Sequence, residues 1–389
     1  ASAGALLAEA GRAALRLPAA AWYCLTLRES GLGERAKALG LVLPALSLRR
    51  HARREGLEHL FVHSCAGAAH VVALCRVLGG PAYSLRLGGD IDVYGKDQRS
   101  KMGRATVVVG AAEVNRGQAI EVGGVAPGRA IWTWLGVETG KYRPAGDGGQ
   151  RGNDDDGTLR LVTVARLNHA KGHRFAIEAV AGLVRRGVRV RYTLVGDGPE
   201  RGAIEAQVCS LGLGGVVRLA GSLDQDAVRE ALGGADAFVL ATSGRGEGSP
   251  VAVLEAMSAG LAIVATDVGG LRDMVAPEQG VIVAPANASA LERALDGLAR
   301  DRDRLRAMGR SSRARAEREF DVDCVAKRLL ARFFPEQFSN AREAKSDSVD
   351  DSEAGRFRES AGVGVHRGPA GSASRHAAFM PTHEHRAAP

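Results

Sequence analysis

Short apolar runs bounded by glycine, proline and polar clusters recur along the chain, and between them lie longer stretches whose apolar residues fall at helical spacing. In the second half, Leu159 to Val164, Asp236 to Ala241 and Leu261 to Ala265 read as buried strands, each a short apolar run that ends in a turn signal. Pro250 suits the first turn of a helix, where its missing N–H costs nothing, and Gly260 ends that helix. In the first half, Leu60 to Ser64 reads as a strand, Cys65 to Leu78 as a helix, and Ala82 to Leu87, Ala105 to Gly110 and Ile131 to Leu135 as further strands. Residues 1–58 read as helical apart from a strand at Trp22 to Leu27. Strands alternating with helices in both halves predict two α/β layers with parallel sheets.

Gly146 to Gly157, rich in glycine and aspartate, reads as a flexible linker, which puts the boundary near residue 145 and divides the chain into 1–145, 146–157 and 158–335. Residues 336–389 carry few large apolar side chains and cannot offset the entropy of ordering, so a disordered tail is expected there. His383 and His385 lie in that tail without a supporting core, and the donor half shows no Asp-x-Asp pair, so no metal site is expected.

No apolar run reaches the length of a membrane span; Leu39 to Leu48 is too short. Five cysteines, Cys24, Cys65, Cys75, Cys209 and Cys324, are scattered without paired spacing, which argues against a disulfide framework or a zinc site and fits a reducing cytoplasm. The net charge of +8 raises nucleic acid as a partner. Arg300 to Arg318, however, interleaves Leu305 and Met308 at helical spacing, the mark of a solvated amphipathic helix. Arg49-Arg50-His51-Ala52-Arg53-Arg54 forms a second basic patch with no aromatic interleaving for base stacking, so peripheral contact with an anionic membrane surface ranks above nucleic-acid binding.

The stretch from Glu247 to Gly260 carries the most chemistry. Glu247 falls in the loop beyond a strand's C-terminal end, Glu255 on the wall of the next helix, and the free N–H groups around Ser249 to Ala252 can meet phosphate oxygens, which makes Gly248, Ser249, Pro250 and Val251 the candidates beside the donor. One carboxylate can accept from hexose hydroxyls and the other from ribose hydroxyls. Arg166 and Lys171 follow another strand of the same half, and two cations with two carboxylates on strand-end loops make a convergent site.

Residues from about 158 to 335 resemble the C-terminal half of a group 1 (GT4) glycosyltransferase of GT-B fold. Arg166 and Lys171 match the family's Arg…Lys-Gly pattern, Glu247 and Glu255 its E-x7-E pattern. Leu194 to Pro199, Val217 to Gly221, Ala235-Asp236 and Asp267 to Gly270 stand in the expected order. The resemblance implies two facing Rossmann-like domains with the cleft between them. Arg166 and Lys171 would neutralise a diphosphate, Glu255 would bind ribose and Glu247 would contact the transferred sugar, with Gly198 and Gly221 beside the donor. By the same resemblance the catalytic set is Glu247, Arg166 and Lys171, the anomeric configuration is retained, and neither metal nor other cofactor is needed because the cations and a helix N-terminus meet the diphosphate charge. The implied function is transfer of a sugar from a nucleotide diphosphate donor to a glycan or lipid-linked acceptor, of the hexosyltransferase type, in cell-surface or exopolysaccharide biosynthesis.

Two departures stand out. Where the family carries His-Gly-Asp, whose histidine reaches the donor sugar, this chain has Gly88-Gly89-Asp90, which remain the acceptor-side candidates. Loss of that contact would weaken transition-state binding by roughly 1.5–3 kcal/mol. The family's first strand and its Gly-rich loop are not visible, so the N-terminal domain reads as incomplete, with an uncovered sheet edge. Both departures favour, as the rival reading, a GT-B domain that binds a nucleotide sugar or a partner without turnover.

Overall fold

The computed structural model describes residues 2–142, 157–244 and 248–333, with the backbone of Ala378–Phe379. Two α/β layers follow one another. In the first, helices α1 (Ala3–Arg12), α2 (Leu17–Leu25), α3 (Leu32–Gly40) and α4 (Val42–Glu55) precede β1 (His59–Val62), α5 (Gly67–Val77), β2 (Ala82–Leu87), α6 (Gln98–Met102), β3 (Val108–Gly110), α7 (Glu113–Glu121) and β4 (Ala130–Trp132). In the second come β5 (Leu159–Val164), α8 (His173–Arg185), β6 (Val190–Val195), α9 (Arg201–Ser210), β7 (Val217–Gly221), α10 (Gln225–Gly233), β8 (Ala237–Leu240), α11 (Val251–Ser258), β9 (Ala262–Thr266), α12 (Leu271–Met274), β10 (Gly280–Val283), α13 (Ala288–Arg300), α14 (Arg302–Arg315) and α15 (Val322–Phe333).

The segment Trp22 to Leu27 is not a strand; Trp22 to Leu25 continue α2. Pro18 sits in the first turn, where its ring is tolerated, and Ala20, Tyr23, Cys24 and Leu27 are buried at helical spacing while the Tyr23 hydroxyl pairs with His70 of α5 at 2.8 Å. Burial on one side at a period of three to four residues suits a helix laid on other helices. Glu9, fully buried, ties α1 to α4 by accepting from Arg53 at 3.0 Å, from Arg12 at 3.3 Å and from Arg49. Burial pushes its pKa up, but the arginines outweigh it and hold the carboxyl below its usual range.

Both sheets are parallel throughout, with strand orders β1-β2-β3-β4 and β10-β9-β8-β5-β6-β7. Their strands are near-continuously buried, because helices cover both faces. The outer edge of β1 pairs in parallel with β11 (Ala378–Phe379), with Leu60 opposite Ala378 and Phe61 opposite Phe379. That edge is therefore covered at these two positions, and Ala378–Phe379 form a strand although composition predicts disorder there. The rest of 336–389, like the linker 146–156, lies outside the described residues.

The last helix changes halves. Val325, Leu329 and Phe333 of α15 pack on Phe61, Val107, Val109 and Ile131 of the first sheet, so the end of the span 158–335 completes the first half's core. The crossing is pinned where Val137 N–H donates to Phe320 at 2.9 Å, Thr139 Oγ1 donates to Asp321 at 2.5 Å, and Trp134 meets Phe320 edge-on at 5.4 Å.

Candidate functional site

In the second sheet the strand order reverses between β5 and β8: the chain runs outward through β6 and β7 on one side and through β9 and β10 on the other. The loops leaving β5 and β8 diverge to opposite sides, which opens a crevice at their C-terminal ends where ligands bind in such sheets. Arg166 and Lys171 lie on the β5 loop, Gly248, Ser249 and Pro250 on the β8 loop.

The β5 loop is rigid for local reasons. Asn168 accepts from the Lys171 N–H at 3.2 Å and caps the turn His169–Lys171, while the buried His173 ring pairs with the Arg166 carbonyl at 3.1 Å. Gly172 has φ +63°, and a Cβ there would stand 2.0 Å from the Ala241 carbonyl oxygen, so only glycine lets the β5 loop meet the end of β8. Ser243 N–H donates to Ala170 O at 2.8 Å and joins the two loops. Burial and then the charge of Arg166 lower the Lys171 pKa. Two cations held close at mutual cost are an arrangement that a dianion relieves.

On the other side of the crevice Thr242 Oγ1 and Ser249 Oγ are sealed from solvent and have no hydrogen-bond partner. Unsatisfied buried hydroxyls cost about 1–3 kcal/mol each, and a ligand that reaches the crevice is one way to supply the partner. Ser249 and Pro250 lead into α11, whose first N–H groups add donors and the positive end of the helix dipole. Val251, at its start, is half exposed. Glu255 of α11 is buried and accepts from the Tyr142 hydroxyl at 2.8 Å. Burial raises its pKa, against the lowering by that hydrogen bond and by the charge of Arg229. Glu247 lies outside the described residues.

Gly198 belongs to the β6 loop, where a Cβ would lie 2.4 Å from Leu167 O, and Leu167 N–H donates to Asp197 O at 2.9 Å, so this loop braces the β5 turn. Gly221 ends β7 at the sheet's edge, accepts from Gly196 N–H at 2.8 Å, and is thereby further from the β5–β8 crevice than the other donor-side candidates.

Gly88, Gly89 and Asp90 form the turn after β2. Asn115 Nδ2 donates to Gly89 O at 3.1 Å, Gln118 Nε2 to Asp90 Oδ1 at 3.1 Å, and Ile91 N–H to Gln118 Oε1 at 3.2 Å. A Cβ at Gly88 would come within 3.2 Å of the Tyr94 hydroxyl, which therefore fills the space a side chain at 88 needs. Across the cleft, a Cβ at Gly248 would stand 2.4 Å from Gly88 O. The acceptor-side turn and the β8 loop are thus neighbours. Tyr142, Arg229, Thr242, Tyr94 and Asn115 escape sequence reasoning; Tyr142 lies 113 residues before its partner Glu255, and no spacing rule reaches so far.

Residues 150–315 match the family described as Glycosyl transferases group 1. WcaL of Escherichia coli strain K12, whose name provisionally assigns it to colanic acid biosynthesis as a glycosyltransferase, is 32% identical over 179 residues, 44% of each chain. The amylovoran biosynthesis glycosyltransferase AmsK of Erwinia amylovora is 33% identical over 178 residues, again 44% of each. The matches thus span less than half the length of these relatives. Among solved structures, Anabaena Alr3699/HepE in complex with UDP superposes with a TM-score of 0.65 at 18% identity over 76% of this chain and 82% of that one.

Proposed function

We propose that this chain, whose residues 150–315 match the group 1 glycosyl transferases and whose fold resembles GT-B structures, transfers a hexose from a nucleoside diphosphate sugar, with retention of configuration, to a glycan or lipid-linked acceptor in exopolysaccharide assembly. The observation that carries this reading is the β5–β8 crevice, with two close cations on one wall and two partnerless buried hydroxyls with a helix N-terminus on the other. Arg166 and Lys171 neutralise the diphosphate and stabilise the charge that grows on it as the sugar leaves; the α11 N–H groups share that task, so no metal is required. Glu255 accepts from the ribose hydroxyls, and Glu247 serves the transferred sugar. The UDP bound by the Anabaena neighbour supports a uridine nucleotide as the first donor to try.

Two finer points belong to the same reading. The groove of Pro44, Ser47, Leu48, Arg50, His51, Arg54 and Val71 on α4 and α5, with exposed Leu43 nearby, offers apolar floor and cationic rim to an anionic membrane carrying a lipid-linked acceptor. No described helix is long and apolar enough to cross a membrane. Gly88 supplies no side chain to the donor sugar, which favours as second reading a chain that binds nucleotide sugar yet turns it over slowly. Calorimetric titration with UDP, followed by product analysis with UDP-glucose, tests both: no binding refutes the site, and binding without transfer selects the second reading.

A further inference from the structure

We propose that Asn115 is a positioning residue for transfer: it locks the Gly88–Asp90 turn and stands as the stop on which the donor half's Gly248 seats when the two halves close. Asn115, on α7, has no exposed surface. Its Nδ2 donates to Gly89 O at 3.1 Å and to Gln118 Oε1 at 3.3 Å, and its Oδ1 accepts from Ala112 N–H at 3.1 Å. That same oxygen lies 2.9 Å from where a Cβ of Gly248 would be. One carboxamide therefore joins the start of α7, the acceptor-side turn and the β8 loop of the other half.

The contact is a seam that only glycine permits. A Cβ at Gly248 would also stand 2.4 Å from Gly88 O, and one at Gly270 would stand 2.4 Å from Ala112 Cβ. Gly270 N–H donates to Gly248 O at 3.0 Å, so the two donor-half glycines meet the first half as one unit. Backbone approaches this close exclude any side chain. An amide is required at 115 because it presents a donor to Gly89 O and an acceptor to Ala112 N–H together; a carboxylate of the same shape would set negative charge against the carbonyls of Gly88 and Gly89.

The consequence for turnover rests on the glycosyltransferase reading, whereas the seam itself does not. The test places spin labels on the exposed Cys209 of the donor half and on an introduced Glu55→Cys of the first half, in a Cys324→Ser background, and measures the distance distribution with and without UDP. The parent should show a short-distance population. Gly248→Ala and Asn115→Asp should each reduce it by about tenfold or more with the melting temperature held, and Asn115→Asp, which lies outside the donor site, should also lower kcat while donor KM changes little. The two changes lie in different halves, so a folding defect in one leaves the other to decide. Parent-like distances in both variants would overturn the proposal. A parent that fails to bind UDP would sink the functional reading instead, and the ligand-free distances would still decide the seam.

Discussion

The two halves share a parallel α/β plan but differ in how the loops beyond their strands are held at the cleft. In the donor half, Thr242 and Ser249 hydroxyls are buried without partners, and burial and the neighbouring charge of Arg166 depress Lys171. In the first half, the Gly88–Asp90 turn is occupied by its own chain through Asn115, Gln118 and Tyr94. Lys101, buried beneath it with its pKa lowered by burial to about 8, donates to Cys65 O at 2.8 Å and to Tyr94 O at 3.0 Å. Buried groups without partners occur in the first half too, at Arg86 Nε and Thr133 Oγ1, so what sets the second half apart is the pair of close cations and the helix N-terminus on its strand-end loops, whereas the Gly88–Asp90 turn is held by its own chain. Ligand affinity should therefore reside in the donor half, and geometry in the first.

The largest effect should come from the joint inside the donor half. Gly172→Ala puts a Cβ 2.0 Å from Ala241 O at φ +63°, and should lower unfolding free energy in urea by about 2 kcal/mol or more and abolish nucleotide binding. Next, Lys171→Ala should weaken UDP at least tenfold in titration calorimetry, roughly 1.4 kcal/mol, whereas Asp90→Asn should leave it unchanged. Comparable losses from the two would erase the contrast between the halves.

A third effect separates the carboxylates. Glu255→Gln should weaken free UDP, while Glu247→Gln should spare UDP and affect only the sugar-bearing donor. Glu255 also predicts a pH dependence. Its pKa is raised on folding by burial, so the neutral form is favoured in the fold, and the stability it contributes is present at low pH and is lost as pH rises through the folded value. Glu255→Gln should hence melt higher than the parent at pH 7, with the advantage shrinking as the pH falls toward 4, as thermal unfolding at several pH values will show. The smallest effect concerns the first half: Gly88→His must displace the Tyr94 hydroxyl by a few tenths of an ångström, and should raise transfer less than about tenfold without changing UDP affinity. A large rise would mean that the first half supplies more than shape.

The strands β2, β5, β8 and β9 stand in the sequence within a residue or two, because a parallel strand covered on both faces must be apolar along its length, and the turns that end it need glycine or a polar cap. The strand-end loops of the proposed donor site are legible for the same local reason, since cations after one strand and a proline-led helix after another identify such a loop wherever they occur; whether they hold a donor is the proposal. Trp22 to Leu27 was not legible, for a short apolar run satisfies a strand and a buried helix equally, and its neighbours α3 and α5 settle the matter.

By itself, then, the sequence determined the alternation of elements, the polar chemistry of the donor loops and the family pattern, all of which depend on residues a few positions apart. Only the tertiary structure decided that Tyr142 caps Glu255, that α15 returns to the first sheet and that Gly248 rests on Gly88 and Asn115. Those contacts close loops of a hundred residues or more, whose entropy is recovered by the summed burial of both halves rather than by any local preference, so no local pattern records them.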